Sequence, residues 1–165
     1  TVAMAAARQA LGRVTRLALL DTTPGAELQE VKARRVPQMA EVRAGGLERV
    51  MREELKPNYL AHGPRYDEIL DLCMAMALDL GADVFERQSI ALRDRPDQQE
   101  TLAGVRVPTL VLCGRQDALC PVERHRLMHD LVAGSRLVVV EEAGHMPTLE
   151  QPDEVTAWFE RWLTD

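Results

Sequence analysis

The sequence predicts an α/β fold built on parallel strands, and three observations carry that expectation. Val107-Pro108-Thr109-Leu110-Val111-Leu112-Cys113 is a continuous apolar run stopped by Gly114. Leu137 to Val140 is a second such run, and a helical pattern separates the two. A third run, Val14 to Leu20, stops at Asp21-Thr22-Thr23-Pro24-Gly25. Short apolar runs ended by turn residues are strands covered on both faces. Their alternation with helical segments is the βαβ pattern of a parallel sheet.

Each element has its own signal. Val2 to Leu11 reads as a helix that Thr1 could cap, and its Ala-rich body predicts burial on nearly every face. From Ala26 to Arg95 the pattern is helical with a charged surface, in roughly four helices. Within it Pro37 predicts a kink or break. Gly45-Gly46 and Pro57-Asn58 punctuate the same stretch. Ile69, Leu72, Cys73, Met76 and Leu80 form a predicted inward stripe, followed by Phe85, Ser89 and Leu92. Pro121 opens a helix with Leu127, Met128, Leu131 and Val132 inward, closing at Gly134. Pro152 opens the last helix, with Val155, Trp158, Phe159, Trp162 and Leu163 on one stripe. The expected organisation is core over 1–25, a helical insertion over 26–95, and core over 96–165.

Bulk properties exclude several classes. With 165 residues and a net charge of −6, a nucleic-acid partner is not expected. No apolar run is long enough to span a membrane. Cys73, Cys113 and Cys120 are odd in number and lack metal-ligand spacing. That predicts reduced thiols, a cytoplasmic setting and no structural zinc.

Functional groups of a parallel α/β sheet gather at the carboxyl ends of its strands. Three polar residues fall there: Asp21, Asp117 and His145. Asp117 and His145 are 28 residues apart, about one βαβ unit, so neighbouring strands can bring them together. A carboxylate that accepts the imidazole Nδ1–H fixes the tautomer and stabilises the imidazolium. Asp21 is a weaker candidate for the same acid. His62, His125 and His129 lack acidic or cysteine partners at ligand spacing, although His125 and His129 lie four apart on one helix. Met74, Met76 and Phe85 are candidates to line a pocket, and ordinary core at helical spacing accounts for them as well.

Around these residues the chain resembles the α/β-hydrolase family. The resemblance lies in "RVTRLALLDTTP", "VPTLVLCGRQDALCP" and "AGHMPTLEQPDEV", and it covers essentially the whole chain. It implies the carboxyl-terminal part of that fold, three parallel strands with flanking helices, with residues 26–95 as an all-helical cap. It further implies Asp117 as the triad acid and His145 as the general base. The family's G-x-S-x-G nucleophile elbow occurs nowhere in the sequence, and "TVAMAAARQ" resembles the helix that follows it. The resemblance therefore implies a fragment, inactive alone, whose nucleophile lies upstream of residue 1. Ser89, Ser135, Thr1 and Cys120 lack the strand-to-helix context of a replacement. The expected activity of the complete protein is hydrolysis of a small-molecule ester or related carbonyl, with no metal or cofactor. Alternatives are an epoxide hydrolase or haloalkane dehalogenase with an aspartate nucleophile, and a non-catalytic ligand-binding relative.

Overall fold

The computed structural model describes residues 2–164. They divide into two compact units. The core unit comprises residues 2–25, 58–63 and 97–164, and the helical unit comprises Ala26–Pro57 and Pro64–Pro96. The short segment Asn58–Gly63 thus leaves the helical stretch and joins the core unit, which nothing in its composition announces.

The core unit holds three parallel strands in the order of the chain: β1 (Leu17–Leu20), β2 (Thr109–Gly114) and β3 (Arg136–Val140). Leu17 pairs with Thr109 and Leu20 with Leu112, while Leu110 pairs with Arg136 and Gly114 with Val140. Strand alternation sends side chains to two separate cores. Leu17, Leu19 and Val111 pack with Met4, Leu102, Val105, Met128 and Val132 on one face. Leu110, Leu112, Val138 and Val140 pack with Ala143 and Val155 on the other, backed by Trp158, Phe159 and Trp162. Every residue of β2 is buried, as the uninterrupted apolar run requires.

Helices flank the sheet where Pro and Gly punctuate the sequence. Pro121 directly precedes the helix Val122–Leu131, and Pro152 is the first residue of Pro152–Thr164. Gly134 takes a positive φ of 77° just beyond the first of these, which only glycine adopts without strain. The helix Val2–Ala10 departs from expectation: only Met4 and Ala7 are buried, and Val2 is 82% exposed. Its Ala residues are small enough to lie on any face, so their apolar character does not enforce burial. Leu127 and Leu163 are likewise exposed, and His125 takes a fully buried place in the Val122–Leu131 helix.

In the helical unit, the helix Gln29–Arg43 continues through Pro37, so of the expected kink or break, the break does not occur. Proline removes only the bond to Ala33, while Met39 and Val42 remain buried beyond it. The long helical segment Tyr66–Arg93 changes direction at Gly81, whose φ of 77° and ψ of 178° interrupt the helix. Ile69, Cys73 and Met74 are buried before this bend, but Leu72, Met76 and Leu80 are 47%, 53% and 51% exposed. The buried edge of this helix is therefore rotated toward Met74, away from the predicted stripe. Met74 is core, Met76 is exposed, and Phe85 lines a shallow recess with Leu47, Met51, Leu80 and Gly81.

Glu27 ties the two ends of this unit together. Its buried carboxylate accepts hydrogen bonds from Arg35 Nη2 at 2.7 Å and Arg95 Nη2 at 2.9 Å. Removing one partner of a buried ion pair strands the others without compensation. Glu27→Ala is expected to lower stability by about 3 kcal/mol. The midpoint of urea unfolding reads this directly, and an unchanged midpoint would show that the arginines find water instead.

Candidate active site

The parallel register delivers the loops after β1, β2 and β3 to one end of the sheet. The close packing of those loops depends on two glycines. A Cβ on Gly114 would meet the Gly144 carbonyl oxygen at 2.0 Å and that of Ala143 at 2.3 Å. A Cβ on Gly144 would meet the Tyr59 oxygen at 2.7 Å and the Ala61 nitrogen at 2.8 Å. Backbone therefore passes over backbone, in three layers: the end of β2, the loop after β3, and Asn58–Gly63.

The first loop pair is stitched by main-chain bonds. Arg115 N–H donates to Val140 O at 2.8 Å and Gln116 N–H to Ala143 O at 2.9 Å. Asp117 then turns inward and is buried. Its Oδ1 accepts the N–H groups of Leu119 and Cys120, both at 2.8 Å, an Asx-type turn that closes the loop on its own carboxylate. Its Oδ2 lies 2.9 Å from His145 Nδ1. Burial alone would raise this carboxyl, but the His145 hydrogen bond and charge, with the two backbone N–H groups, outweigh it and hold the pKa below its ordinary value. An ionised carboxylate only accepts, so Nδ1 carries the proton between the two residues and Nε2 is the ring nitrogen left to exchange one. The Asp117 side chain is fully covered, whereas that of His145 is 23% exposed.

His145 is held from behind as well. Its N–H donates to Tyr59 O at 2.6 Å, and the Tyr59 ring meets the imidazole edge-on with centroids 5.8 Å apart. Glu150 secures the same loops: Oε1 accepts from Ala61 N at 2.7 Å, and Oε2 from Gly144 N at 2.9 Å and Met146 N at 3.1 Å. Neither Tyr59 nor Glu150 stands out in the sequence. A carboxylate five residues beyond the histidine, before Gln151-Pro152, is the one local signal that could have drawn attention to Glu150.

The remaining candidates have other employment. Asp21 sits at the end of β1 with a φ of 43°, and its Oδ1 accepts the Gly114 N–H at 3.2 Å. It supports the β2 terminus, while Asp117 is the acid bonded to His145. Burial pushes the Asp21 carboxyl up to about 8 despite the Gly114 bond, and the charges of Asp117 and Glu150 add to the rise. His125 is fully buried. Its Nε2 accepts Thr22 N–H at 3.1 Å and its Nδ1 faces Pro121 O at 3.3 Å. Burial lowers its pKa, although the Pro121 carbonyl and Asp117 oppose the shift. It therefore staples the loop after β1 to the loop after β2 as a neutral imidazole. His129 bonds instead to Ser135 Oγ at 2.8 Å, so the two histidines do not form a metal pair. His62 is exposed. Ser135 precedes β3, at the end of the sheet remote from His145, and Ser89 is buried in the helical unit. Thr1 lies outside the described residues. Cys73, Cys113 and Cys120 are buried thiols, none in a disulfide. Among the described residues, Asp117, Cys120 and His145 form the one group of three His, Cys, Asp or Glu side chains close enough to share a metal ion.

A parallel sheet covered on both faces, with an acid after one strand and a histidine after the next, defines the class of α/β proteins whose sites are assembled from strand-end loops. The sequence profile of the alpha/beta hydrolase family matches residues 1–158, and the chain belongs to that family. Among curated proteins, it is 29% identical over 100 residues to a pimeloyl-[acyl-carrier protein] methyl ester esterase of Neisseria meningitidis serogroup B. That match covers 61% of this chain and 39% of the relative. Among solved structures, a thermophilic esterase from Thermogutta terrifontis superposes with a TM-score of 0.91 at 31% identity. The superposition covers 99% of this chain and 60% of that one. An enol-lactonase from Burkholderia xenovorans shares the fold, with a TM-score of 0.81 at 23% identity, over 99% of this chain and 61% of that one. The chain thus spans 39% to 61% of the length of these relatives. No helix among the described residues is long and apolar enough to cross a membrane.

Two outcomes check this description. The folded protein keeps Asp21 protonated between its ordinary value of 3.8 and about 8, where the unfolded chain has lost the proton, so its contribution to stability declines as pH rises through that interval. Asp21→Asn, which keeps an acceptor for Gly114, is expected to gain stability relative to the parent steadily from pH 4 to about pH 8 and no further. Parallel melting curves at every pH would refute the raised pKa. Glu150→Gln replaces one acceptor oxygen with an NH₂ that confronts backbone donors, at about 1–3 kcal/mol. Amide hydrogen exchange should quicken at Ala61, Gly144 and Met146 while the β2 amides stay protected; equal protection in both proteins would remove Glu150 from this role.

Proposed function

We propose that this chain supplies the general base and its orienting acid for hydrolysis of a small-molecule carboxylic ester, in a longer protein whose nucleophile precedes residue 1. The observation that carries the reading is the 2.9 Å contact between a fully covered Asp117 carboxylate and Nδ1 of a partly exposed His145. It leaves Nε2 as the available basic atom. The esterase resemblances and the absence of G-x-S-x-G from the sequence support the same reading.

In this mechanism Nε2 takes the proton of the attacking hydroxyl as the hydroxyl oxygen bonds to the ester carbonyl carbon. The positive charge that develops on the ring is met by Asp117 across the Nδ1–H bond. The imidazolium then gives its proton to the departing alkoxide, and a water repeats the cycle to release the acid. Tyr59 and Glu150 hold the His145 loop while the ring changes charge. The helical unit takes the part of the family's cap. One ester and one water are consumed, one alcohol and one acid are released, and the nucleophile and His145 return to their starting states, so the cycle calls on no cofactor.

Proton transfer of this kind contributes about 10²–10⁴ in rate. In the complete protein, His145→Ala is expected to lower kcat on a short-chain p-nitrophenyl ester by at least that factor, with the far-ultraviolet circular dichroism unchanged. Asp117→Asn should lower it as well, because the amide can turn the wrong tautomer toward the nucleophile. Turnover within tenfold of the parent in a folded His145→Ala protein would end the assignment.

A further inference from the structure

The Asx turn that orders Asp117 also brings a thiol to the active pair. Because Cys120 N–H reaches back to Asp117 Oδ1, the Cys120 side chain starts beside the carboxylate that His145 uses. A carboxylate oxygen of Asp117, Sγ of Cys120 and an imidazole nitrogen of His145 all lie within 4.8 Å of one another. Sulfur, nitrogen and oxygen donors from three side chains, with a fourth position open, form a donor set suited to zinc. Bonds of about 2.0–2.3 Å to one ion would place these atoms roughly 3.5 Å apart, so rotamer adjustments of about 1 Å close the site. Cys120 is 9% exposed and the His145 side chain 23% in the described chain.

We propose that Asp117, Cys120 and His145 form an inhibitory binding site for a zinc-class divalent cation. The Cys120 sulfur coordinates as thiolate, its proton passing to solvent, and the imidazole coordinates in its neutral form. Either ring nitrogen gives the same outcome for the base. Coordination through Nδ1 replaces the bond to Asp117 and moves the ring proton to Nε2, and coordination through Nε2 occupies the lone pair. The site therefore switches between a proton-transfer pair and a metal chelate, according to the supply of the cation. Cys120, which the hydrolytic mechanism does not use, is the residue that makes the second state available. The binding rests on the geometry alone, and only its consequence for turnover rests on the proposed hydrolysis.

The test is titration of the complete protein with Cd²⁺, whose bond to a thiolate gives an ultraviolet charge-transfer absorption that needs no catalysis. One equivalent is expected to bind. Even outer-shell partners of a metal contribute 10–100-fold in affinity, so losing a ligand should weaken binding by more than about 100-fold. Cys120→Ser should abolish the absorption. His145→Ala should leave the thiol in place yet weaken binding to the same degree. Cys73→Ser, which alters a buried thiol of the helical unit outside this donor group, should behave as the parent in both absorption and ester turnover. In the parent, Zn²⁺ should stop ester turnover and a chelator should restore it. No absorption, an absorption that survives Cys120→Ser, or an affinity indifferent to His145→Ala would each overturn the proposal and leave the hydrolytic reading standing. Cd²⁺ binding with these dependences in a protein that hydrolyses no ester would support the site while the hydrolytic reading falls.

Discussion

The close crossing of main chain over Gly114 is the constraint from which the rest of the site follows. β2 is buried on both faces, so its end can rise to the surface only through the loops that cover it. With no side chain at Gly114, the carbonyls of Ala143 and Gly144 settle directly on the strand end. Gln116 N–H then bonds to Ala143 O, and Ala143 N–H returns the bond to Gln116 Oε1. These bonds set the loop after β2 against the loop after β3 with little freedom left. Asp117 and His145 meet because the backbones that carry them have already met.

A second consequence of this packing is electrostatic. Asp21, Asp117 and Glu150 share one end of a small sheet, and among the described residues none is paired with Lys or Arg. Each is accommodated differently. Asp117 keeps its charge because two backbone N–H groups and His145 surround it. Glu150 is bound by three backbone N–H groups from two separate segments. Asp21 has one such bond and two carboxylates for company, and it holds its proton instead. Oriented amide dipoles thus do here what a cation does elsewhere, without placing a competing positive charge beside the imidazole.

The helical unit follows a different logic. Its central segment leaves Leu72, Met76 and Leu80 exposed, and its two ends are joined through the buried Glu27 with Arg35 and Arg95. Such an arrangement specifies where the chain enters and leaves the unit more strongly than it specifies a large apolar core. The bend at Gly81 divides the long helical segment where a residue with a side chain would resist the positive φ.

By itself the sequence determined the strand runs, the punctuating prolines and the pairing of Asp117 with His145. These are local or nearly periodic properties: a doubly covered strand must be apolar throughout, and one βαβ unit has a characteristic length. The tertiary structure decided everything that depends on distant backbone. It brought Asn58–Gly63 out of the helical stretch to hold His145, recruited Glu150 as the clamp and buried His125 between two loops. It also turned the helix beginning at Tyr66 so that Met74, not Met76, faces inward, and carried Gln29–Arg43 through Pro37 without ending the helix. Helical periodicity marks an apolar side but cannot say which part of it finds a neighbour. A hydrogen bond between residues 89 positions apart, as from Ala61 to Glu150, has no local pattern to announce it.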